Sequence, residues 1–158
     1  MSKSVKIVLL VLVGLGITVV GIYLFVLKSV DVDMEPHVSN QTIDFEELGE
    51  KVYIRAKSWG FTGDHTEILV STSPINNPHL EYEKDKQFTF LSSPELYYQK
   101  KGVDSLFLYV YHKSEVPKNL TTQINIQQIE LRNAKEIADY ERNYKEYGLS
   151  KVSVYPSK

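Results

Sequence analysis

The longest apolar stretch of the chain covers residues 7–27, and none of its 21 side chains is charged. At ~1.5 Å of rise per residue, a helix of that length spans about 32 Å, close to the thickness of the hydrocarbon core of a bilayer. A buried helix of a soluble domain is the alternative, but such helices usually carry polar residues on one face. The pattern therefore predicts one transmembrane helix.

The charges on either side of this run predict its orientation. Lys3, Lys6 and the amino terminus precede it, whereas Lys28 is followed by acidic residues at 31, 33 and 35. Because basic residues are retained on the cytoplasmic side, we expect a cytoplasmic amino terminus and a carboxy-terminal domain that is periplasmic or extracellular. The run is longer than the ~7–15 residues of a signal-peptide core and no small-x-small cleavage site follows it, which favours an uncleaved signal anchor.

Composition divides the rest of the chain into a connecting segment and one domain. Residues 29–41 mix acids, a proline and small polar residues, which is typical of a short extracytoplasmic stalk. Residues 42–158 have the apolar content of a globular chain and are too few for two domains of usual size. We therefore expect residues 1–28 to be the cytoplasmic N-terminus and anchor, and residues 42–158 to be a single soluble β-rich domain.

Alternation of apolar and polar side chains predicts strands through most of this domain. Residues 52–59 alternate, residues 66–72 resume an extended pattern, and the glycine-bearing segment between them predicts a hairpin with a longer loop. Residues 104–112 are apolar on both faces, which indicates a strand in the middle of a sheet or between two layers. In residues 122–131 the isoleucines fall out of phase, and a β-bulge at Gln127 and Gln128 would place them on one face.

One amphipathic helix is predicted late in the chain. Asn133 can cap it, Glu136 completes an N-x-x-E pattern, and Gly148 stands just past its end. The side chains expected to turn toward the sheet recur every three or four residues: Ile137, Tyr140, Tyr144 and Tyr147. A last strand over residues 151–155 should lie at a sheet edge. We therefore expect a mainly β (α+β) fold, an antiparallel β-sandwich or partly open barrel of about seven strands with the C-terminal helix packed on it.

The lack of cysteine and the acidic charge of the domain limit the classes of function. Because the sequence has no cysteine, the domain gains no stability from disulfides, and a cysteine nucleophile or a lipid-modified cysteine is excluded. Beyond the anchor the chain has 15 basic and 20 acidic residues, a net charge of −5, which argues against nucleic acid and anionic lipid surfaces as partners for the domain as a whole. The expected partners are the lipid bilayer, through residues 7–27, and a protein or another envelope component.

No motif in the sequence predicts a catalytic, cofactor-binding or metal site. The four histidines lack metal-ligand spacing, no serine lies in a nucleophile motif, and the glycines at 60 and 63 match neither a dinucleotide-binding nor a P-loop pattern. Glu81, Glu83 and Asp85 alternate on an extended segment, and paired carboxylates can hydrolyse glycosides. Interspersed lysines favour a solvated loop. The alternative, an envelope polysaccharide hydrolase, requires these carboxylates to converge with His65 or His79.

The segment over residues 58–65 is the candidate partner-binding loop. It holds the only tryptophan, Trp59, together with Phe61, Asp64 and His65 at the expected tip of a hairpin. Aromatic side chains on a glycine-bearing loop can dock a partner, although Trp59 and Phe61 could instead fold back over one end of the core. The sequence thus predicts a non-enzymatic binding or structural module, with an immunity-type or accessory subunit of a membrane complex as a further alternative.

Overall fold

The computed structural model of the chain describes residues 14–24, 36–60, 65–75 and 85–155. The chain divides into two units, Met1–Met34 and Glu35–Lys158. In the first unit residues 14–24 form a helix, α1, in which the Thr18 hydroxyl donates a hydrogen bond to the Gly14 carbonyl at 2.9 Å. No helix within the described residues is long and apolar enough to span a membrane. Residues 7–13 and 25–27 of the predicted span lie outside the described residues.

The first half of the second unit forms a four-stranded antiparallel sheet, sheet A. Its strands lie in chain order: β1 (His37–Phe45), β2 (Glu50–Trp59), β3 (His65–Ser71) and β4 (Gln87–Leu91). Alternation along β2 buries apolar side chains from Val52 to Ala56, as the sequence pattern predicts. The predicted hairpin is confirmed, because β2 and β3 pair antiparallel up to Trp59 opposite His65.

Strand β1 begins earlier than the sequence predicts. Residues 37–41, expected to belong to the stalk, extend the strand and pair with β2, with His37 opposite Ser58 and Gln41 opposite Ile54. These five side chains are mostly polar and show no apolar alternation, so the local pattern carries no strand signal. Because β2 supplies the hydrogen-bonding partner, the strand starts at His37 rather than near Thr42.

The second half forms sheet B, which is mixed rather than antiparallel. Its strands are β5 (Glu95–Lys101), β6 (Ser105–Val110), β7 (Asn125–Glu130) and β8 (Ser150–Ser153), in the order β7-β6-β5-β8. Strands β6 and β7 run parallel, so residues 111–124 must cross from one end of the sheet to the other. Hydrogen bonds from Thr89 N to Ser114 Oγ, 2.9 Å, and from Asn119 N to Asp85 O, 2.7 Å, hold this crossover. The predicted edge position of the last strand is confirmed.

The two sheets pack face to face around one apolar core, so the domain is a sandwich of eight strands within the described residues rather than a closed barrel. Large core side chains come from both sheets, and those that are at most 1 % exposed include Phe45, Ile54, Phe88, Leu96 and Leu108. Gln41 joins the sheets along one side. Its amide donates to the Lys151 carbonyl at 3.3 Å and accepts from the Tyr98 hydroxyl at 3.0 Å.

A second helix, α2 (Ala134–Asn143), begins at the predicted cap. Asn133 Oδ1 accepts from the Glu136 backbone N–H at 2.9 Å. The Glu136 carboxylate reaches back to the Arg132 N–H at 2.8 Å, one residue earlier than in a standard capping box. The bond to Asn133 satisfies an amide that the first turn of a helix leaves without an intrahelical partner, so the sequence start signal is confirmed.

Helix α2 packs on the outer face of sheet B, as predicted, through a second apolar cluster. The buried members of this cluster are Tyr97, Leu131 and Leu149, and the half-buried members include Tyr109, Ile137, Tyr140 and Tyr144. Tyr147 of the predicted stripe stays 45 % exposed and packs on Tyr140 with ring centroids 5.3 Å apart. Sheet B therefore separates two apolar layers.

Strand β7 is regular, and the predicted β-bulge at Gln127 and Gln128 is wrong. The parallel register with β6 continues without interruption from one end of the strand to the other. The out-of-phase apolar residues serve different layers, because Ile124 is buried between the sheets whereas Leu131 is buried in the cluster under α2. A segment with an apolar layer on each face needs no bulge to bury both sets.

Candidate functional site

Trp59 and His65 face each other at the end of the β2–β3 hairpin. Trp59 is the last residue of β2, His65 is the first of β3, and the two are directly opposite in the register. Their rings stack with centroids 5.8 Å apart and planes 24° from parallel. The Lys57 ammonium lies 5.1 Å from the centre of the Trp59 ring. We call Lys57, Trp59 and His65 the Trp59 patch.

The pleat of β2 places this patch on the outer face of sheet A. Ala56 and Ser58 are buried, so Lys57 and Trp59, at alternate positions, point away from the core between the sheets. Trp59 is half-buried and belongs to neither apolar cluster of the described residues, and His65 is exposed. Among the described residues, the ring contacts of Trp59 are with His65 and Lys57 on this face.

The patch combines an aromatic surface with cationic and polar atoms. Phe61 and Asp64, the other two residues of the predicted loop, lie outside the described residues. Trp59 offers a large apolar ring with one N–H donor, and Lys57 offers an ammonium on an apolar stem. Side chains held against one another on paired strands lose little freedom when they bind. The arrangement suits contact with a surface that is partly apolar and partly anionic.

A second polar arrangement lies between sheet B and α2, around the carboxylate of Glu95. Glu95 is 8 % exposed, and its Oε1 accepts hydrogen bonds from the hydroxyls of Tyr97 and Tyr111, the latter at 3.2 Å. Its Oε2 accepts from the Lys151 ammonium at 2.8 Å. We call these four residues the Glu95 network. Both carboxylate oxygens are engaged inside the domain.

The tyrosines of the Glu95 network are held in their protonated form. Burial is the main cause that raises the pKa of Tyr97 above its usual range, and the hydrogen bond to Glu95 adds to it. Burial also raises the pKa of Tyr111, helped by the nearby carboxylates of Glu95 and Glu141. Both hydroxyls remain hydrogen-bond donors at neutral pH. These hydrogen bonds therefore have a structural role, since they fix side chains of sheet B beneath α2.

Sequence reasoning missed the Glu95 network, although one signal for it existed. Glu95 and Tyr97 are two residues apart at the start of β5, so they lie on the same face, opposite to that of Leu96. A carboxylate therefore lies on a face of the strand that also buries an aromatic ring. A carboxylate on such a face needs a cation or several donors. The sequence does not show that Tyr111 and Lys151 supply them, because these residues come from other strands and segments.

A cleft of about 460 Å³ lies where β6 and β7 end and α2 begins. Tyr111, Leu131 and Ile137 give it apolar walls. On its rim His112 Nδ1 lies 3.9 Å from Glu130 Oε1, with the two side chains 81 % and 44 % exposed. A contact with this exposure contributes little to stability or to binding, since water solvates both partners.

The carboxylates of the hydrolase alternative are mostly beyond the described residues. His79, Glu81 and Glu83 lie outside them, whereas Asp85 is exposed in the turn before β4. His65, the other residue of that alternative, stacks on Trp59. Across the ranges that the structure describes, no group of three or more acidic, histidine or cysteine side chains could hold a metal ion. Comparisons of the chain with protein-family models, curated proteins and solved structures found no match.

Proposed function

We propose that the protein is a non-enzymatic, membrane-tethered binding module. In this proposal residues 7–27 form an uncleaved single-pass anchor, the amino terminus is cytoplasmic, and the β-sandwich with α2 stands on the periplasmic or extracellular side. The Trp59 patch is its contact surface, and the partner is a protein or another envelope component.

The sequence supports the anchor and its direction. Residues 7–27 carry no charge and are long enough for the hydrocarbon core, and the lysines at 3 and 6 precede them. The soluble part of the chain is acidic overall, which argues against an anionic surface as a partner for the domain as a whole.

The observation that carries the binding role is the position of Trp59. Within the described residues, the chain's only tryptophan belongs to neither apolar cluster and lies on the outer face of sheet A, with its ring close to an exposed imidazole and a lysine ammonium. Tryptophan is one of the residue types enriched among side chains that dominate binding energy. The position of this ring supports a role in contact with a partner.

The Glu95 network supports a non-enzymatic role. Glu95 is the buried carboxylate of sheet B, and proton transfer to a substrate would need one of its oxygens to be accessible. Each oxygen instead accepts a hydrogen bond within the domain, and α2 covers the network through Tyr140 and Tyr144. The arrangement stabilises the packing of the helix on the sheet.

Photo-crosslinking in native membranes tests the contact surface. The full chain carries a benzophenone amino acid in place of His65, beside Trp59, and a matched chain carries it in place of Val103. Val103 is 47 % exposed in the β5–β6 turn, at the opposite end of the sandwich. We expect a defined adduct, protein or lipid, from position 65 and only background from position 103. Equal yields from both positions would overturn the binding role of the patch.

A further inference from the structure

The Trp59 patch lies at the end of the sandwich where the chain runs into β1. His37, the first residue of β1, is opposite Ser58, and the next residue of β2 is Trp59, opposite His65. Sheet B ends at the same level, since Ser58 Oγ donates to the Val154 carbonyl at 3.3 Å. We call this the proximal end of the domain. The β5–β6 turn marks the distal end.

The proximal end also exposes an aliphatic and a further aromatic side chain. Leu91 closes β4 there with 51 % of its surface exposed, and Tyr155 follows β8 with 48 % exposed. Leu91 is opposite Glu67, the second residue after His65 in β3, so it belongs to the same end of sheet A. Tryptophan and tyrosine with a nearby aliphatic side chain are the types enriched where a protein meets the membrane–water interface.

The polar side chains of sheet A at this end include one cation. Lys57 is half-exposed, and the imidazoles of His37 and His65 are exposed. Glu67, which is directly opposite Lys57 in the register, is only 2 % exposed, so at these paired positions the lysine reaches the surface and the carboxylate does not. A lysine whose stem lies along an aromatic ring can place its ammonium at the level of lipid phosphates while the ring enters the interface.

The length of chain before β1 allows this end to reach a membrane. If residues 7–27 cross the bilayer, nine residues, 28–36, come before β1. Nine residues span at most about 32 Å when fully extended. A segment of this length permits contact between the proximal end and a bilayer surface.

We infer that the partner of the Trp59 patch is the lipid headgroup region of the membrane that holds the anchor. This inference rests on the proposed function and names the partner of the same surface. Trp59 enters the interface between headgroups and acyl chains, Lys57 contacts lipid phosphate, and Leu91 and Tyr155 lie beside them. The distal end, with the β5–β6 turn, points toward solvent.

Tryptophan fluorescence in vesicles tests the inference, because Trp59 is the only tryptophan and reports on the patch alone. The full chain is reconstituted into phosphatidylcholine–phosphatidylglycerol vesicles whose acyl chains are brominated either near the headgroup or near the bilayer centre. We expect shallow bromines to quench most of the Trp59 emission, deep bromines to quench it less, and aqueous acrylamide to quench it weakly. The control chain W59F/V103W moves the single tryptophan to the exposed distal turn, where only acrylamide should quench it.

The outcomes separate this inference from the proposed function. If Trp59 is quenched by brominated lipid no more than the tryptophan at 103, the lipid inference is overturned. The proposed function then stands if the benzophenone at position 65 forms an adduct with a protein in native membranes, and falls if it forms no adduct. The wild-type chain gives a second readout, since acrylamide quenching that is equal in vesicles and in detergent would also contradict lipid contact.

Discussion

Replacing Glu95 with Gln removes the charge at the centre of the Glu95 network while preserving the shape of the side chain. Gln keeps one carbonyl acceptor for the hydroxyls of Tyr97 and Tyr111. Its NH2 group, however, faces the Lys151 ammonium where a carboxylate oxygen accepted at 2.8 Å. The substitution therefore turns a charge-assisted contact into a juxtaposition of donors in a largely buried site.

The contacts and burial of Glu95 determine how much the E95Q substitution lowers the free energy of unfolding. A hydrogen bond to a charged group contributes about 1.5–3 kcal/mol, and breaking a buried ion pair costs about 3–5 kcal/mol. The Lys151 side chain is 31 % exposed, so water can solvate its ammonium after the change and lower the cost. We expect the free energy of unfolding to fall by about 2–4 kcal/mol, which corresponds to a Tm lower by roughly 8–15 °C for a domain of this size.

Urea unfolding of the full chain in detergent micelles, followed by near-ultraviolet circular dichroism of the tyrosines, measures this change. Exposed Glu146 provides the matched control, because the same Glu-to-Gln substitution there should change the free energy of unfolding by less than about 0.5 kcal/mol. An E95Q chain as stable as the E146Q chain would contradict the structural role of the Glu95 network between sheet B and α2.

Three further substitutions test the helix N-cap, the turn at Gly148 and the buried tyrosine. Asn133→Ala removes the acceptor of the Glu136 N–H and should lower the free energy of unfolding by about 1 kcal/mol in urea unfolding, and an unchanged midpoint would argue against the cap. Gly148→Ala forces a side chain to adopt a φ of +68°, which should cost about 1 kcal/mol, so a neutral result by thermal unfolding would contradict that turn. Because the pKa of Tyr97 is raised above its ordinary 10.0, its contribution to stability is complete below pH 10 and declines as the pH rises above that value. Tyr97→Phe should therefore flatten the loss of stability above pH 10, and parallel pH profiles of the two chains would refute this.

Local pattern predicted the elements whose residues carry their own signal. The alternation in residues 52–59 gave β2, and Asn133 with Glu136 gave the start of α2, because a pleat and a helix cap depend on neighbours a few residues away. The stripe of Ile137, Tyr140 and Tyr144 also predicted the packing of the helix on a sheet. These features follow from periodicity, so they need no knowledge of the partner elements.

The features that the sequence did not predict depend on contacts between residues far apart in the chain. The first residues of β1 are polar and become strand only because β2 lies beside them. The parallel direction of β6 and β7 depends on where residues 111–124 cross, which alternation does not encode. The two phases of Ile124 and Leu131 predict a bulge if the segment has one apolar layer to contact, whereas it has one on each face.

Of the two candidate sites, local pattern predicted the Trp59 patch in part and the Glu95 network not at all. Placing Trp59 and His65 near one another followed from a hairpin prediction, since residues that flank a turn are opposite each other in an antiparallel pair. The outward direction of Trp59 follows from the phase of β2, set by Val52 and Ile54. The Glu95 network joins residues up to 56 positions apart, so no local pattern reveals it.

Cysteine accessibility tests the central claim most directly, because the natural chain has no cysteine and any introduced thiol is unique. Intact cells carrying either V103C or H65C are treated with a membrane-impermeant maleimide, before and after solubilisation in mild detergent. We predict that V103C reacts rapidly in intact cells and at the same rate in detergent, whereas H65C reacts slowly in intact cells and rapidly in detergent. Reaction of V103C only after lysis would contradict the extracytoplasmic position of the domain, and equal rates for both thiols in intact cells would contradict contact through the Trp59 patch.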